Sequence, residues 1–135
     1  MTDISWLTEH RLDSVVKNEF TWDFVFSDGV NLQAECLWRL LESGHIVVTS
    51  EDHGHQFGLP KPIDCVEELC RRIGGAEVSS VGIRDGTLDL AIGFSTGCTL
   101  EVIPNFCCYE AWQLGGHLML VIATGGGSLS VFHDR

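Results

Sequence analysis

Two imidazoles and a carboxylate crowd one short stretch, Asp52-His53-Gly54-His55. Side chains of these types bind zinc, or exchange protons near neutral pH. On an extended stretch, residues two apart share a face, which makes His53 and His55 the candidate metal ligands. The spacing differs from that of a structural zinc site, which pairs Cys-x-x-Cys with a second couple of ligands. The nearest cysteine, Cys65, lies beyond Pro60 and Pro62. Cys65 also falls where a helix should begin, and a helix N-terminus lowers a thiol pKa. Beside His53 or His55 such a thiol would be a nucleophile with its base. No third, orienting residue is identifiable. A loop that is solvated or docked by hydrogen bonds explains the same residues without chemistry, and it is the preferred reading.

A second segment, Cys107-Cys108-Tyr109-Glu110-Ala111-Trp112, could form a recognition surface. Tyr and Trp favour binding hot spots, and Glu110 adds charge. Trp112 is read as a packing residue, because it matches Trp38 earlier in the chain. Arg39, beside Trp38, is expected to pair with Glu35 or Glu42, with ligand binding as the alternative. Of the remaining cysteines, Cys36, Cys70 and Cys98 lie on apolar faces and read as core thiols. Gly125-Gly126-Gly127 lacks the Lys-Ser/Thr end of a phosphate loop. No Gly-x-Ser-x-Gly, His-Glu-x-x-His or dinucleotide fingerprint occurs, so no catalytic residue and no cofactor is expected.

Net charge narrows the partners. The 8 Lys+Arg face 19 Asp+Glu, a formal charge of -11. Nucleic acid needs clustered cations, and an anionic membrane surface repels an acidic chain; neither is expected as a partner. From Gly86 to Asp134 there is no Lys or Arg, whereas Asp89, Glu101, Glu110 and Asp134 are present. Such a surface attracts basic proteins, although acidity also serves solubility alone. No window approaches the ~20 apolar residues of a membrane span. Met1 to His10 carries Asp3 and Glu9 and lacks the basic and apolar order of a signal peptide. A cytoplasmic location with reduced cysteines follows as the expectation.

Strand grammar surrounds these residues. Trp22, Phe24 and Phe26 alternate, as do Val30, Leu32, Ala34, Cys36, Trp38 and Leu40, with Gly29 between the two runs. Period two marks half-buried antiparallel strands. His45 to Thr49 is a further strand, and the polar stretch Glu51 to Lys61 is a loop. Asp64 is a good N-cap, with Glu67 completing a capping-box pattern. Val66, Leu69, Cys70 and Ile73 recur at helical spacing, and Gly74-Gly75 ends the helix. Strands resume over Val78 to Arg84, Leu88 to Ile92, Cys98 to Val102, Leu118 to Ile122 and Leu129 to Phe132.

The strands before and after the helix resemble each other in order. Ser14-Val15 matches Ser80-Val81, and Thr21-Trp22-Asp23-Phe24 matches Thr87-Leu88-Asp89-Leu90. Phe26 to Gly29 matches Phe94 to Gly97, and Leu32 matches Leu100. Trp38-Arg39-Leu40 matches Trp112-Gln113-Leu114, and Gly44-His45 matches Gly116-His117. The expected fold is therefore α+β, in one domain over residues 1–135. Antiparallel β-meanders form two similar halves, 12–50 and 76–133, with one central helix over 62–75 packed on the sheet. Neither meander could bury its apolar face alone.

The order Trp22-x-Phe24, Trp38-Arg39-Leu40, Ser50-Glu51-Asp52-His53-Gly54, Tyr109-Glu110-x-Trp112 and Gly125-Gly126-Gly127 resembles a family of small uncharacterised bacterial proteins. In style, short, acidic and β-rich, it is similar to immunity proteins that neutralise a basic toxin. The resemblance implies a basic protein partner and transfers no catalytic residue. The leading expectation is thus a non-enzymatic cytosolic binding protein, with Glu51, Asp52, His53, Glu101 and Glu110 as candidate contacts. Arg39, His55 and Tyr109 are further binding candidates. The alternatives are a small metal-dependent or cysteine/histidine hydrolase centred on Asp52, His53 and His55, and a structural or regulatory homodimer formed by a sheet edge or apolar face.

Overall fold

A computed structural model describes residues 2–133. Met1, Asp134 and Arg135 lie outside the described residues, and with them the ends of the N-terminal stretch and of the cation-free stretch read above. Among the described residues eleven strands form: β1 (Leu12–Lys17), β2 (Trp22–Phe26), β3 (Asn31–Ala34), β4 (Leu37–Glu42), β5 (His45–Thr49), β6 (Val78–Ile83), β7 (Leu90–Phe94), β8 (Cys98–Ile103), β9 (Trp112–Gly116), β10 (Met119–Thr124) and β11 (Ser128–His133). One α-helix, α1 (Cys65–Ile73), stands between β5 and β6. The chain is α+β, with every strand pair antiparallel.

The strands make two sheets, ordered β1-β2-β3-β9-β10-β11 and β5-β4-β8-β7-β6. Each half supplies a three-stranded meander to one sheet and then crosses to the other. β3 of the first half pairs with β9 of the second, Leu32 opposite Leu114. β8 of the second half pairs with β4 of the first, Leu100 opposite Leu40. These are the same pairing made twice, so each half completes the other's sheet. All four leucines are fully buried in one continuous core.

Backbone bonds place the symmetry axis. Arg11 and Glu77, equivalent residues at the starts of β1 and β6, form an isolated antiparallel bridge with each other. Around it Leu12 N donates to Ala76 O and Val78 N to His10 O, at 3.0 and 2.9 Å. Ser27 N donates to Arg11 O and Ser95 N to Glu77 O, both at 2.9 Å. A β-bulge recurs at the same place, between Leu12 and Ser14 and between Val78 and Ser80.

Register corrects two of the matches read from sequence. Val15 lies opposite Phe24, and Val81 opposite Ile92. Phe24 therefore corresponds to Ile92 and Trp22 to Leu90, two residues beyond the Thr87–Leu90 match. The second-half turn is longer, and its extra residues hid this offset. The β4–β5 turn runs through Ser43-Gly44 and the β9–β10 turn through His117-Leu118, all at positive φ, so Gly44 corresponds to Leu118 and not to Gly116. That turn position also sets the phase of β10. Val121 and Ala123 face the core, while Leu120 and Ile122 are half-buried on the other side, reversing the expected phase.

The alternating run from Val30 to Leu40 is two strands, not one. All six apolar residues are buried, but β3 and β4 lie in different sheets, broken at Glu35-Cys36. The period survives because both sheets face one core. In α1, Asp64 Oδ1 accepts from Val66 N and Glu67 N at 3.0 and 3.2 Å, as an N-cap should. Glu67 itself lies 3.9 Å from Lys61. A reciprocal capping box forms instead at Thr49 and Asp52. Cys65, Leu69 and Ile73 are buried against β1 and β5, whereas Cys70 is exposed, correcting its assignment to the core. Arg72 joins α1 to β4 through Glu42, 3.0 Å away.

Leu32 and Leu100 hold equivalent places in the two halves. Leu32→Ala and Leu100→Ala should each lower the unfolding free energy by about 2–5 kcal/mol, in a single urea transition. Two separate transitions would mean that the halves fold independently.

Candidate functional site

The residues singled out from sequence fall in three places. Arg39 and Glu101 lie opposite each other on β4 and β8. Their side chains form an ion pair, Nε to Oε1 at 2.5 Å, about one-third exposed. Arg39 thus pairs with Glu101, and not with Glu35 or Glu42. Register decides this: Glu101 is its cross-strand neighbour, Glu35 sits at the sheet crossing, and Glu42 is engaged by Arg72.

The second place is the loop after β5. Thr49 N donates to Asp52 Oδ2 at 2.9 Å, and Glu51 N to Thr49 Oγ1 at 3.2 Å. His53 Nδ1 accepts from Cys65 N at 3.1 Å, so that nitrogen is bare and the ring proton sits on Nε2. The ring stands edge-on to Trp22, centroids 5.3 Å apart. His55 stacks on Phe57 instead. Among the described residues no three His, Cys, Asp or Glu side chains converge as a metal site would need. The loop is docked by hydrogen bonds.

Cys65 is not primed as a nucleophile. Its Sγ is buried and donates to Thr49 O at 3.3 Å. Burial, helped by Asp52, Asp64 and Glu68, pushes its thiol up to about 12. Desolvation and these carboxylates outweigh the helix dipole that the sequence suggested would lower it. His53 meets the Cys65 amide rather than the thiol.

The third place is a cleft of about 280 Å³ at the sheet crossing. Its floor holds Trp22 and Cys36, and its walls include Phe20 and Phe106. Phe20 is 79% exposed and Phe106 50%. Tyr109, also exposed, meets Phe106 edge-on at 5.5 Å, with Glu110 beside it. Glu35 and Glu51 stand at the exposed rim. The ammonium of Lys17 lies 5.2 Å from the Trp22 ring centroid, a cation–π distance, while bonding to Asn18 O and Glu19 O.

The cleft is where the duplication fails. In the second half Leu88 turns inward at φ 64, is buried, and its carbonyl accepts from Trp112 Nε1 at 2.9 Å. Counted back from the strand, its counterpart in the first half is Phe20, which turns out to solvent. Trp38, the counterpart of Trp112, is left with a buried Nε1 that has no hydrogen-bond partner. It lies edge-on to Trp22 and Phe24, centroids 5.1 and 6.0 Å away.

Glu51, His53 and Tyr109 therefore belong to the cleft or its border, while Arg39, Glu101 and His55 do not. Sequence reasoning missed Lys17, Phe20, Glu35, Cys36 and Phe106. The available signal was Lys17-Asn18-Glu19-Phe20, a turn with a large aromatic and no glycine or proline. No protein-family model, characterised protein or solved structure matches the chain.

Cys36 shares the raised thiol value, about 12, again mainly through burial. Both thiols hold their proton more tightly in the fold than an ordinary thiol, reference value 9.0. Their contribution is complete below that reference and is lost as pH rises towards about 12. Urea unfolding repeated from neutral to alkaline pH should show falling stability above about pH 9, with a shallower fall for Cys65→Ala. No fall in that range, in the native chain or in Cys65→Ala, would place ionised thiols in the native state.

Proposed function

We propose that this chain is a non-enzymatic cytosolic binding protein, immunity-like, whose aromatic cleft receives a cationic side chain of a basic protein partner. One observation carries the reading: the cleft already seats a cation, with the chain's own Lys17 over Trp22 and carboxylates at the rim. Flat aromatic faces and nearby acids suit a guanidinium, which stacks and hydrogen-bonds at once. The overall charge of -11 steers such a partner in. Among the described residues, no helix is long and apolar enough to cross a membrane. The hydrolase alternative finds less support, because Cys65 is held as a neutral thiol and Asp52 and His53 are spent on backbone groups.

A second reading, a homodimer, is favoured by β11. Among the described residues this strand edges its sheet and pairs with β10 alone, and it reads Ser-Leu-Ser-Val-Phe-His without Asp, Glu, Lys or Arg. Phe132 on it and Leu118 nearby are 58% and 73% exposed. An uncharged free edge invites pairing with another edge. Light scattering on dilute protein decides: a dimer that Val131→Lys dissociates supports this reading, and a monomer at all concentrations ends it.

Binding of an Arg-rich peptide, read by calorimetry or Trp fluorescence, tests the cleft. Trp22→Ala and Glu35→Gln/Glu51→Gln should weaken binding about tenfold or more, a loss of about 1.4 kcal/mol. Lys17→Ala, which removes the internal competitor, should strengthen it. Added salt should weaken it. Affinity indifferent to salt and to Lys17 would overturn the proposal.

A further inference from the structure

We infer that Cys107 and Cys108 are a reversible oxidation site that resets the aromatic wall of the cleft; the second part rests on the cleft reading above. The two Sγ atoms lie 3.4 Å apart, and both residues are exposed. Cys36, Cys65 and Cys98 are buried, and Cys70 is exposed on α1. The pair sits between Phe106 and Tyr109, in the link from β8 to β9. Its backbone lies directly on the glycine run that follows β10. A β-carbon at Gly125 would stand 2.4 Å from Cys107 O and 2.8 Å from Cys108 Cα.

Adjacent α-carbons are about 3.8 Å apart across a trans peptide. An ordinary disulfide spans about 4.4–6.8 Å between α-carbons. A bond between Cys107 and Cys108 is therefore strained, which makes it easy to reduce and suited to switching rather than to permanent support. Closing it must shift the local backbone. Phe106 and Tyr109 flank the pair directly, so their rings move with it.

A small-molecule disulfide of the glutathione class supplies the oxidant. One of the two thiols loses its proton, and its thiolate attacks a sulfur of that disulfide. A mixed disulfide forms, and one small thiolate leaves. The neighbouring thiol, deprotonated in turn, attacks the protein sulfur of the mixed bond. The Cys107–Cys108 bond forms, and the second small thiolate leaves. Two protein thiols are oxidised, one disulfide is reduced, and both protons end on the small thiols.

The whole chain is equilibrated in glutathione buffers of rising oxidised fraction, alkylated, digested and weighed. Tyr109, the single tyrosine, reports the loop by its ring NMR signals. The expected result is loss of two hydrogens on the peptide carrying Cys107 and Cys108, reversed by excess reduced glutathione, with a matching shift of Tyr109. Cys108→Ser should instead trap one glutathione on Cys107. Glutathione retained by the native chain at this pair, a cross-link between chains, thiols that stay free, or an unmoved Tyr109 would each overturn the inference. Arg-rich peptide binding by the reduced protein is scored separately. Its absence removes the cleft reading while leaving the oxidation site intact, and thiols that never close remove the site while leaving peptide binding intact.

Discussion

Two strand exchanges, β3 onto β9 and β4 onto β8, hold this protein together. Each half makes a meander in one sheet and lends two or three strands to the other. Neither meander could hide its apolar face in isolation, because three strands with one oily side need a second layer. The exchange makes each half the second layer of the other. The core then becomes continuous, and the helix α1 and the short N-terminal 3-10 turn Ser5–Glu9 close what the sheets leave open. The symmetric hydrogen bonds around Arg11 and Glu77 pin the halves where they meet.

A duplicated framework makes departures from symmetry informative. Trp38 and Trp112 occupy equivalent places, and one has its indole N–H satisfied while the other does not. A buried donor without a partner costs about 1–3 kcal/mol. Here it accompanies an aromatic residue turned to solvent at Phe20 and an opening lined by Trp22. Exposing a large aromatic and orphaning a donor both weaken the fold. Beside them lies a cleft in which the ammonium of Lys17 sits over Trp22. The same cleft brings together charges from distant parts of the chain, Lys17, Glu35 and Glu51, which no linear motif connects.

Much of the architecture was legible in the residues. The alternation of Trp22, Phe24 and Phe26, and of Cys98, Leu100 and Val102, identified strands because one face of each is buried and the other is not. Asp64 and Gly74-Gly75 marked the helix ends because a cap and a terminator act locally. The duplication was visible through Trp38 and Trp112, whose bulk fills equivalent core positions. The site was far less legible. Asp52, His53 and His55 drew attention by type, yet hydrogen bonds to neighbouring backbone, or stacking on Phe57, occupy them. Nothing in a linear reading shows whether a carboxylate faces an arginine across a sheet, as Glu101 does, or open solvent, as Glu51 does.

The sequence by itself determined the period-two strands, the capped helix, the acidic charge and the repeat, since each depends on neighbours within a few residues or on composition alone. Tertiary structure decided which sheet each strand joins, that Val30 to Leu40 bends across two sheets, that Phe20 points out where Leu88 points in, and that Cys65 stays a neutral thiol. Those outcomes depend on register, burial and field, which arise only when residues far apart in the chain share a few ångströms of space.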